Sequence, residues 1–148
     1  MNLKRCSIPI AFLFAAVLIT ACRPQPTSPI SHSGPVTDYV SLVDNMRTTG
    51  ATVEPASEIP QDFFSIEGQV IKVDGADVQV FEYGSEAVAK EEAALVSSSG
   101  STIGTTMVTW VATPHFYKAG RLIVLYVGDN DLVTAVLEEV LGLQFAGG

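Results

Sequence analysis

The residues able to do chemistry gather in one short stretch: Thr105, Thr106, Thr109, Trp110, Thr113, His115, Phe116 and Tyr117. It holds the only tryptophan and, apart from His32, the only histidine of the chain. Imidazole is the commonest general base when the proton it takes lies within hydrogen-bond reach, so His115 with a nearby threonine or Tyr117 spells a hydrolase-like envelope enzyme. The same ring could ligate a metal or a haem iron, which makes a carrier the other chemical reading. Nucleophilic catalysis also needs an orienting carboxylate and an oxyanion hole, and no motif of that sort stands beside His115. The expectation is therefore contact rather than chemistry. Trp110, His115, Phe116 and Tyr117 form the candidate surface for a partner protein or a small ligand, because aromatic side chains supply contact area at low entropic cost.

Other candidates fall to simple geometry. Gly100-Ser101-Thr102-Ile103-Gly104 has glycines and hydroxyls but no GK[ST] ending and no lysine to meet a phosphate, so it reads as a loop. Asp129-Asn130-Asp131 opens like a calcium loop, yet neither the glycine at the sixth position nor the glutamate at the twelfth follows. Glu91 and Glu92 are adjacent on a helix and point about 100° apart, so they cannot face each other as a catalytic pair. His32 lies in a polar, proline-rich segment and reads as solvated. No motif calls for a cofactor.

Elements that would hold such a surface begin only after an export signal. Lys4 and Arg5 precede a mostly apolar run from Ile8 to Ile19, followed by small residues and a cysteine. The order Ile19-Thr20-Ala21-Cys22 resembles the lipobox of bacterial lipoproteins. That resemblance implies cleavage between Ala21 and Cys22, acylation of the Cys22 sulfur, and a mature protein held to the cell membrane on its extracytoplasmic face. About twelve apolar residues make only about 18 Å of helix against a hydrocarbon core of about 30 Å, so a retained spanning helix is the poorer reading. Two or more acyl chains anchor firmly, since each buried methylene contributes about 0.8 kcal/mol.

Composition narrows the rest. Loss of residues 1–21 removes Lys4 and Arg5 and leaves six basic against sixteen acidic residues, a net charge of −10. Nucleic acid and anionic headgroups both require clustered Lys or Arg, so neither is an expected partner of the domain. Cys6 departs with the signal and Cys22 carries lipid, which leaves a domain without a thiol, and hence without a disulfide or a zinc-thiolate site.

Residues 22–35 contain Pro24, Pro26, Pro29 and Pro35 among polar residues, a tether reaching about 20 Å. Residues 36–148 read as a single α+β domain, an antiparallel or mixed sheet of four to five strands with about three helices on one face. Tyr39, Leu42, Val43 and Met46 repeat at helical spacing, with Thr37 as expected N-cap and Gly50 beyond the C-terminus. Thr52 to Glu54 is a short extended piece that Pro55 and Pro60 interrupt. Asp74-Gly75 is a type I′ hairpin signal, which pairs Val73 with Ala76, Lys72 with Asp77, Ile71 with Val78 and Gln69 with Val80. Ser85 caps an alanine-rich helix from Glu86 to about Val96, with Val88 and Leu95 as its larger contacts. Met107 to Thr113 alternates as a strand, and the all-apolar run Leu122 to Val127 belongs in the middle of the sheet. Asp129 or Asn130 opens a last helix that Gly142 ends, and Leu143 to Gly148 is a tail.

Overall fold

The computed structural model describes residues 34–148. The expected signal segment, Cys22 and residues 22–33 of the expected tether lie outside the described residues. Helix α1 (Tyr39–Thr48) is followed by strands β1 (Val53–Ile59), β2 (Gly68–Val73) and β3 (Ala76–Glu82), then helix α2 (Glu86–Ala93). Strands β4 (Thr102–Ile103), β5 (Thr106–Met107), β6 (Pro114–Ala119) and β7 (Leu122–Val127) come next, then α3 (Asp131–Leu141) and β8 (Ala146–Gly147). Six strands make one antiparallel sheet in the order β1-β2-β3-β7-β6-β8, and β4 pairs with β5 apart from it. The class is α+β.

Local chemistry explains most of these elements. Asp38, rather than Thr37, caps α1, because its carboxylate accepts from Ser41 N at 2.9 Å while Ser41 Oγ accepts from Asp38 N at 3.0 Å. That reciprocal box satisfies two helix-end donors at once, which a threonine one position earlier cannot do. Gly50, at φ 93°, lies just past the C-cap. The hairpin register is the expected one, with positive φ at both Asp74 (48°) and Gly75 (85°). Lys72 Nζ meets Asp77 Oδ1 at 2.7 Å on the exposed face. Pro55 does not stop β1: the strand runs on to Ile59 through a bulge between Pro55 and Glu58. It is an edge strand, where a missing N–H on the outer side costs nothing.

The sheet is covered on both faces, which corrects the expected one-sided packing. Along β7, Leu122, Val124 and Tyr126 join Leu42 and Met46 of α1 and Val133 and Leu137 of α3. The alternate residues Ile123 and Leu125 join Ala89 and Ala93 of α2, Phe64 and Ile103. A strand with helices on one side and a helix plus loops on the other must be apolar at every position, as Leu122 to Val127 are. β3 and β7 are the two central strands of that order. Within α2 the alanines themselves make the contact, while Val88 and Leu95 are 41% and 48% exposed. Ala89 and Ala93, four apart, share the inner stripe, and Val88 points about 100° away.

The sheet exceeds the expected four to five strands because of pairing at the β6 edge. Met107 to Thr113 is not a strand of the sheet: only Thr106–Met107 pairs, with β4. The sheet strand begins one residue later, at Pro114, and the tail that follows α3 returns to pair Ala146 with Phe116 and Gly147 with His115. Two paired residues are too few to leave a period in the sequence.

Candidate functional site

His115 lies at the start of β6 and is partly buried. Its Nδ1 is 2.7 Å from Gln144 Oε1 and its Nε2 3.1 Å from the Gly128 carbonyl oxygen. The ring stacks on its cross-strand partner Tyr126, with centroids 5.8 Å apart and planes 20° from parallel. Both nitrogens thus face protein oxygens, and among the described residues neither bonds a hydroxyl. Beside it, a shallow cleft of about 210 Å³ is lined by Thr113, Asp129, Asp131, Thr134 and Glu138. Thr113 Oγ1 donates to Asp129 Oδ1 at 2.6 Å rather than toward the imidazole. Among the described residues no group of three or more His, Cys, Asp or Glu side chains is placed to hold a metal ion. The geometry around His115 is that of a clamp joining the β7–α3 turn to the tail, not of a base facing a nucleophile.

Phe116 and Tyr117 leave the list of contact residues, since both are fully buried, on opposite faces of the sheet. Consecutive strand residues must point to opposite faces, so the pair could never have shared one surface. The Tyr117 hydroxyl has no hydrogen-bond partner among the described residues, and the same holds for Tyr83. Burial first, and the negative charge of Glu138 second, push the Tyr117 phenol up to about 12. Tyr83 is raised further, by burial and then by Glu92.

Trp110 is half-buried, and it supports a surface more than it forms one. Its Nε1 donates to the Gly100 carbonyl at 2.8 Å, and its ring meets Phe63 and Phe116 edge-on, each at 5.8 Å. Ring contacts continue from Phe116 to Phe145 and from Phe63 through Phe64 to Phe81. On that floor of rings rests the segment 104–113, which carries Met107 and Val111 outward, 82% and 98% exposed. Leu143 and Phe145 of the tail are also exposed, at 85% and 37%.

Met107 and Val111 are the residues that sequence reasoning passed over. One signal for them was present: from Ala93 to Tyr117 the chain has no Asp, Glu, Lys or Arg, and none follows Glu139. The two uncharged segments meet in space, since Gly147 N donates to the Ser98 carbonyl at 2.9 Å and Gly148 N to the Pro114 carbonyl at 3.0 Å.

Comparison with known protein families, curated proteins and solved structures finds no match. Among the described residues no helix is long and apolar enough to cross a membrane.

Proposed function

We propose that this is a lipid-anchored protein of the bacterial cell envelope whose extracytoplasmic domain works by binding, through the face built from segment 104–113 and the tail. The anchor follows from the lipobox-like Ile19-Thr20-Ala21-Cys22 and its basic, apolar lead-in. The observation that carries the binding role is the exposure of Met107 and Val111 on a segment tied down by the Trp110 indole. Apolar side chains held out on a fixed support lose little conformational entropy on docking, which favours recognition. Exposed apolar patches mark interaction sites in soluble folds, and Met107 and Val111 are the large apolar side chains that segment 104–113 holds out. His115 enters as the residue that holds the tail in place, and with it Phe145.

Two measurements test this reading. Metabolic labelling with palmitate should mark the native chain and not the Cys22→Ser variant, which should leave the membrane fraction. A photo-crosslinking amino acid at position 111, introduced into the full chain in its envelope, should give discrete adducts. A soluble, unlabelled native chain would end the anchoring proposal, and a chain that forms no adduct would end the binding one.

A further inference from the structure

The tail after α3 is lightly held. β8 is two residues long, and the bonds that fix its surroundings run from Phe145 N to the Phe116 carbonyl (2.8 Å), from Gly147 N to the Ser98 carbonyl (2.9 Å) and from Gly148 N to the Pro114 carbonyl (3.0 Å). A short terminal segment opens locally at small cost, so a single side-chain bond weighs heavily in keeping it closed. Gln144 makes that bond, and the way its amide is turned selects a charge state of His115. Gln144 Nε2 donates to the Gly147 carbonyl at 3.4 Å, which turns Oε1 toward His115 Nδ1 at 2.7 Å, while the Gly128 carbonyl lies 3.1 Å from Nε2 of the ring. Reversing the amide would set Oε1 against the Gly147 oxygen. A neutral imidazole has one N–H, so it leaves a lone pair facing one of the two oxygens. Only the imidazolium donates to both.

Charges around the ring have the matching sign. Asp129 from the turn after β7, and Asp131 and Glu138 from α3, line the cleft beside His115, and among the described residues no Lys or Arg does. β7 brings the ring of Tyr126, and β6 itself carries Tyr117 and Lys118, neither of which lines the cleft. The tail from Val140 to Gly148 and the segment from Ala94 to Pro114 contain no charged residue.

We infer that His115 is a pH-sensitive latch for the tail: protonation of its ring completes the hydrogen bonds to Gln144 and Gly128 and draws the tail closed, and loss of the proton loosens it. Histidine ordinarily changes charge between about pH 5 and 8, so the tail is held better at the lower end of that range and worse at the upper. The latch acts on Leu143 and Phe145, the tail's share of the proposed contact face, but it is read from the tail's own bonds and holds whether or not that face binds anything. A crosslinker at position 111 reports on the other share, so the two proposals fail separately.

Hydrogen-exchange protection factors, corrected for the intrinsic pH dependence of exchange, test the latch at the amides of Phe145 and Gly147. Between about pH 8 and 5.5 they should rise about three- to tenfold in the native chain. His115→Phe keeps an aromatic ring on Tyr126 together with Asp129, Asp131 and Glu138, but has no proton to gain, and should show no rise. Gln144→Leu, which removes one acceptor, should lose the rise as well. In a His32→Gln chain, whose single histidine is His115, nitrogen-15 spectra at pH 5.5 should show both ring nitrogens protonated and their N–H groups slow to exchange. If His115→Phe does not fold, Gln144→Leu and the ring spectra decide. Protection that stays flat in the native chain, a rise that survives in either variant, or ring N–H groups that exchange as fast as those of free imidazolium would overturn the inference.

Discussion

The imidazole of His115 is stacked on the ring of Tyr126 while both its nitrogens reach oxygens of other segments, Gln144 in the tail and Gly128 after β7. One side chain therefore joins three pieces of chain. His115→Ala should cost about 1–3 kcal/mol, from a lost ring N–H hydrogen bond and a lost stack. Urea denaturation would measure this, and hydrogen exchange should show the tail amides at residues 145 and 147 losing protection first. A variant as stable as the native chain would show that the clamp contributes nothing.

Tyr117 and Tyr83 bury hydroxyls without partners among the described residues, and a buried polar group lacking a hydrogen bond opposes folding. Tyr117→Phe should be neutral or stabilising by about 1 kcal/mol. A pH dependence accompanies it. In the unfolded chain a phenol gives up its proton near pH 10, whereas folded Tyr117 keeps it to about 12. Between those values the folded state binds more protons, so stability must fall as pH rises above about 10. The decline should be shallower in the double variant Tyr83→Phe, Tyr117→Phe, and equal slopes in the two proteins would refute the assignment.

Gly120 turns the β6–β7 hairpin with φ 52°, and a side chain there would run into the backbone of Thr37. The same spot carries the hydrogen bond from Arg121 N to the Thr37 carbonyl, 3.0 Å. Gly120→Ala combines a disfavoured backbone angle with a clash that no rotamer relieves, and should cost about 2–4 kcal/mol. Thermal melting checks the cost, and proteolysis should cut near residues 34–38 sooner than in the native chain.

Trp110 differs from the residues it supports. Trp110→Ala should lose about 2–4 kcal/mol, because its ring is packed against Phe63 and Phe116. Met107→Asp and Val111→Asp should each change stability by less than about 0.5 kcal/mol, since neither side chain is buried. If the loop variants unfold the protein as Trp110→Ala does, they were structural and the proposed contact face is lost.

Local signals carried much of the architecture. Asp74-Gly75 dictated the hairpin and its register, Gly50 and Gly142 closed two helices, and the unbroken run at Leu122 announced an inner strand. These are properties of a few neighbouring residues, so they can be read without knowing the rest of the chain. The candidate surface was of another kind. Trp110, His115, Phe116 and Tyr117 are close in sequence, but strand alternation sends Phe116 and Tyr117 into opposite cores, while Gln144 and Gly128 from distant segments occupy His115.

Residue types thus determined the three helices, the β2–β3 hairpin and the central strand β7, the negative charge and the uncharged stretches within it. Tertiary structure alone decided that helices cover both faces and that the tail adds an edge strand. It also decided that Met107 and Val111, not the aromatic residues beside them, meet solvent. Periodicity records which side of an element is apolar, but exposure depends on which distant segment arrives to cover that side.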